Sequence, residues 1–66
     1  MDVSEVLRAC RMQSGMTLNA LAKKTGIQAP TISRWERGKA EPTVYNFEVL
    51  LNAMGFSLEM KVGILE

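Results

Sequence analysis

TLNALAKKTGIQAPTISRWERG, residues Thr17 to Gly38, holds two apolar stripes of helical spacing with a single glycine between them. Leu18, Leu21 and Ala22 give the first segment an apolar face, and Ile32 with Trp35 gives the second an i,i+3 stripe. Gly26 stands where a chain turning sharply out of a helix needs a positive φ, which glycine adopts without steric cost. Ala22, one helical turn earlier, is small where two steeply crossing helices must approach closely. Thr17 is a suitable N-cap for a first helix ending near Thr25. Gln28 stands near the N-cap of a second helix, from about Ala29 to Arg37. Pro30 fits the first turn of that helix, where its missing N–H is not needed.

The second helix carries Gln28, Thr31, Ser33, Arg34 and Arg37, hydrogen-bonding side chains that no core requires. Two short helices, a tight turn and an outward polar second helix make a helix-turn-helix suited to reading double-stranded DNA. Charge supports the same reading. The formal net charge is only +1, but Lys23, Lys24, Arg34, Arg37 and Lys39 against Glu36 give +4 between Lys23 and Lys39. The remainder, with Arg8, Arg11 and Lys61 against six acidic residues, carries −3. Phosphate binding concentrates positive charge in this way. The bland alternative for each basic residue is a solvated helix surface, and Lys23 and Lys24 also suit the end of the first helix dipole.

Outward from the motif, the chain resembles the phage repressor/Cro-like (Xre-type) helix-turn-helix family. The resemblance is carried by Leu21-Ala22, Gly26-Ile27, Thr31 to Glu36 and Gly38-Lys39, and it continues through Pro42-Thr43 to Met54-Gly55. It implies a mainly α fold of four helices and DNA contacts from Gln28, Ala29, Pro30, Thr31, Ser33, Arg34, Arg37 and Lys39. Thr17, Asn19, Lys23 and Lys24 are weaker backbone candidates. The resemblance also implies that Arg11 pairs with Glu36, tying the first helix of the domain to the end of the recognition helix. Two positions depart from the family pattern: Leu18, where a glutamine often bonds a phosphate, and Ala29-Pro30, where glutamine is favoured. Ala29 and Pro30 offer apolar contact alone, for instance to a thymine methyl. Arg34 is the candidate for a bidentate contact with guanine, while Lys39 resembles a phosphate-contacting loop residue.

Before the motif, Val3, Val6, Leu7 and Cys10 form one stripe of a helix expected from about Val3 to Gln13. Asp2 is its N-cap, and Glu5 completes a capping-box-like pair. After the motif, Thr43 caps a helix whose apolar face is Val44, Phe47, Leu50, Leu51 and Met54, stopped by Gly55. The period then changes. Phe56, Leu58, Met60 and Val62 alternate with Ser57, Glu59 and Lys61, the pattern of a strand. The expected organisation is a DNA-binding domain over residues 1–55 and a strand-bearing segment over 56–66. A lone strand needs a partner, and an identical strand across a two-fold axis is the simplest one. With Met60 opposite its own copy, Glu59 faces Lys61 and Leu58 faces Val62, pairing opposite charges and apolar groups.

The 66 residues amount to one small domain, 47% apolar, without an apolar run long enough for a membrane span. The acidic start, Met1 to Glu5, reads as no signal peptide, and the single Cys10 reads as a buried hydrophobe in a reducing cytoplasm. Histidine is missing, and neither a metal-ligand cluster nor a base for Ser14 or Ser33 is present in the sequence. An enzyme, a cofactor and a metal are therefore not expected. The expected function is a dimeric, sequence-specific regulator, most simply a repressor. An antitoxin that binds a toxin protein and represses its own promoter is the alternative, and a scaffold without DNA binding is a third reading.

Overall fold

The computed structural model describes residues 2–59 and contains four helices: α1 (Val3–Ser14), α2 (Leu18–Thr25), α3 (Ala29–Glu36) and α4 (Val44–Ala53). Their ends follow local chemistry. The Thr17 and Thr43 side chains accept from the backbone N–H groups of Ala20 and Asn46, at 3.0 and 3.1 Å, satisfying one orphan donor in each first turn. The Asp2 carboxylate accepts from Ser4 N at 3.1 Å and Ser4 Oγ at 2.7 Å, so Ser4 is its side-chain partner rather than Glu5. That hydroxyl bond is the main reason the Asp2 carboxyl lies below its ordinary pKa. Gln28 occupies the N-cap of α3 without a side-chain cap bond, and Pro30 falls in the first turn as expected. α3 ends one residue early, with Arg37 as its C-cap.

Packing runs crosswise to the chain. α1 packs on α3 and α4, and α2 packs on the same two helices. Each helix contributes one side chain that is at most 1% exposed: Leu7, Leu21, Ile32 and Leu50. Phe47, Leu51 and Met54 complete the buried core, and α4 together with its C-cap Met54 supplies the larger part of it. Val3, Val6, Cys10, Trp35 and Ile27 pack around this centre, half-buried. Burial of an aliphatic side chain contributes about 1.5–3 kcal/mol, so these few contacts hold a domain of this size.

A further expectation is corrected. Val44 is 61% exposed, although it lies on the apolar face of α4. It is the first residue of the helix and overhangs the core, lining an open groove with Val3, Pro42 and Leu58. The expected strand from Phe56 to Val62 is not formed among the described residues, and its part from Met60 onward lies outside them. Residues 56–59 run without helix or ladder, and Phe56 N donates to Leu51 O at 2.8 Å. Phe56 and Leu58 pack against the core while Ser57 and Glu59 are exposed, so the alternation is kept. A ladder needs a second strand, and among the described residues helices are the elements around this segment.

Candidate nucleic-acid interface

The turn between α2 and α3 sets the geometry of the site. Gly26 has φ +80° and its N–H donates to Ala22 O at 2.8 Å, closing α2 in the left-handed conformation. A Cβ there would meet nothing within 4 Å, so glycine is required by its backbone angle rather than by space. The Thr25 hydroxyl bridges the corner, donating to Leu21 O at 2.9 Å and accepting from Ile27 N at 3.2 Å. α3 leaves this corner with Ile32 fully buried and Trp35 half-buried beneath it.

On the outward side of α3, Pro30, Arg34 and Arg37 are exposed, while Ala29, Thr31 and Ser33 are half-buried. The Arg37 Nε donates to Ser33 Oγ at 3.3 Å, a tie one turn long that the sequence reading did not foresee. The Arg34 guanidinium makes no hydrogen bond among the described residues. Gln28 and Lys39 are exposed at either end of the helix. The remaining candidates separate. Thr17 and Asn19 are exposed at the start of α2, which opens toward α3. Lys23 is exposed, whereas Lys24 Nζ donates to Ala53 O at 2.8 Å. Lys24 therefore caps the carboxyl end of α4, a contact between residues far apart in sequence.

Behind that outward face, Arg11 donates to three acceptor atoms on two residues. Its Nε and Nη2 donate to the two Glu36 carboxylate oxygens at 2.7 and 3.0 Å, and its Nη1 donates to Met16 O at 3.1 Å. The side chains are 19% and 6% exposed, so the pair is largely withdrawn from water. Glu36 holds the guanidinium above its ordinary pKa, mainly through this hydrogen bonding. The pair joins α1, the loop before α2 and the end of α3, so the two helices of the motif are held at a set separation. Met16, whose carbonyl completes the clamp, is a backbone role that side-chain reading misses.

The family described as helix-turn-helix matches residues 7–60, most of the chain. The chain belongs to that family. A protein of Pyrobaculum aerophilum named as an HTH-type transcriptional regulatory protein is 39% identical over 62 residues. The alignment takes in 94% of this chain and 25% of that protein, so the chain spans about a quarter of the length of the curated relative it matches. The helix-turn-helix proper is α2, the Gly26 turn and α3, and the repressor-like resemblance read from Leu21 to Lys39 falls within the matched residues. Among the described residues, no helix is long and apolar enough to cross a membrane.

Proposed function

We propose that this chain is a sequence-specific module for double-stranded DNA, acting in transcriptional regulation and most simply as a repressor. The outward face of α3 carries the reading: Arg34 and Arg37 are exposed on a helix whose other side is anchored by Ile32 and the Arg11–Glu36 clamp. A helix so held enters the major groove with little ordering cost. Arg34 reads a guanine edge bidentately, Gln28, Thr31 and Ser33 reach bases or phosphates, and Arg37, Lys39, Thr17, Asn19 and Lys23 meet the backbone. Lys24, engaged with Ala53 O, contributes charge rather than contact. Repression follows from occupancy of a site, whereas activation needs a further contact with the transcription machinery.

A homodimer through Phe56 to Val62 completes the proposal. The exposed Val44, at 61% and sharing a groove with Leu58, and Tyr45, at 72%, support self-association. Two recognition helices joined in this way occupy half-sites about 34 Å apart. The same exposed pair favours a protein partner in general, which keeps the antitoxin reading as the alternative. Co-purification of a second chain selects it.

Arg34→Ala should lower cognate affinity by about 1–3 kcal/mol and relax preference at one base pair. Lys39→Ala should weaken binding to every duplex and lower the salt slope by roughly one. Equal losses on cognate and random duplex for Arg34→Ala would make it a phosphate contact and overturn its assignment.

A further inference from the structure

We infer that the cleft between the starts of α2 and α3 reads a thymine through its 5-methyl group, an inference that rests on the DNA-binding function proposed above. The cleft is open and holds about 530 Å³. Met16, Leu18, Ala29 and Pro30 give it apolar walls, with Ser33 beside them on α3. Its charged member, Arg11, is already committed through three nitrogens to Glu36 and Met16 O. The Thr17 hydroxyl accepts from Ala20 N and Ser33 Oγ accepts from Arg37, while Asn19, exposed at the start of α2, is the remaining polar side chain of the lining. A base edge meeting the first turn of α3 thus meets Ala29 and Pro30, which carry no polar side-chain atom, and proline lacks an N–H as well.

In the major groove, the thymine methyl is the one apolar feature that a base pair presents. A guanine, adenine or cytosine edge pressed against Ala29 and Pro30 gives up water without gaining a side-chain partner from them, and that desolvation is unfavourable. A methyl there gains burial against side chains that are already ordered. Pro30, with its fixed φ, and Ala29, with no rotamers, lose almost no freedom on contact. Attraction of the phosphates brings the duplex to this face, since the chain carries +4 between Lys23 and Lys39. Leu18 and Ala29-Pro30, the two departures from the family pattern, line this same cleft.

The test begins with selection of preferred sites from a random duplex pool by the 66-residue chain. Each thymine of the enriched site is then replaced singly by deoxyuridine, which removes the methyl and nothing else, and affinity is measured at fixed salt. One thymine per half-site should lose about three- to fivefold, the amount expected for one buried methyl group. Pro30→Ser and Leu18→Gln should each reduce that penalty to below about twofold, with circular dichroism checking that each variant folds. At the same position, replacing cytosine by 5-methylcytosine in a C·G pair should recover about the same factor, separating the methyl from the rest of the T·A pair. An enriched site with no uracil penalty overturns the inference and leaves DNA binding standing. So does a penalty unchanged in whichever variant folds. If the pool yields no enriched duplex at all, the DNA-binding function falls, and the thymine readout falls with it.

Discussion

Gly26 and the Arg11–Glu36 pair illustrate two ways in which one side chain decides the geometry of the motif. Because an added methyl at Gly26 has open space around it, Gly26→Ala isolates the strain of a left-handed alanine. It should lower stability by about 1–2 kcal/mol in urea unfolding, and a variant as stable as the parent would show that the turn relaxes. The ion pair acts through burial. Glu36→Ala leaves a guanidinium largely withdrawn from water with Met16 O as its remaining partner, and should cost about 2–3 kcal/mol. A double-mutant cycle with Arg11→Ala should show strong coupling, since either truncation removes the same contact. Additive effects would mean that the two groups act independently. The pair was legible only through resemblance, because nothing in the spacing of Arg11 and Glu36 brings them together.

The helices were the most legible feature, since their ends are written in adjacent residues. Thr17, Thr43, Gly26 and Gly55 mark boundaries that follow from capping and positive φ, and each falls within a residue of its expected place. Thr43→Ala should accordingly lower stability by about 1 kcal/mol, measured by thermal unfolding, and Thr43→Ser should restore most of it. At the start of α1 the sign of the pH dependence is set by Asp2. Its folded pKa is lowered, so its stabilising contribution is present above the ordinary carboxylate range and is lost as pH falls through the lowered value. Amide exchange at Ser4, corrected for the intrinsic pH effect, should rise over that acid interval, and Asp2→Ala should abolish the change. The apolar stripes were legible as well, except that Val44 shows how a periodic face says nothing about where the neighbouring elements stop.

A crosswise four-helix packing leaves the C-terminal segment as the part proposed to link one domain to another. Phe56 and Leu58 are turned onto the core of their own domain, and Phe56 N is held by Leu51 O. A truncation after Gly55 would therefore remove core contacts together with any dimer contact. Ending the chain at Glu59 keeps both apolar residues and separates the two effects. That variant should stay folded, sediment as a monomer and bind the selected operator at least tenfold more weakly, because the linked second half-site is lost. A dimer of unchanged affinity would exclude self-pairing through Met60 to Val62. The pairing expected of Phe56 to Val62 depends on a partner edge, which no property of a single segment supplies.

Local rules in the amino-acid order, namely apolar period, caps, the glycine turn and the clustering of basic residues, were enough to specify four helices and to point α3 outward. Such rules act over three or four residues, within reach of one helical turn. Tertiary structure decided what depends on contacts between distant residues: Lys24 spent on Ala53 O, Arg11 closed by Met16 O, Val44 left overhanging, and Leu18 gathered with Ala29 and Pro30 into one cleft. Each of these is set by where two helices cross, and a crossing is fixed by the packing of the whole core around Leu7, Leu21, Ile32 and Leu50 rather than by any one segment.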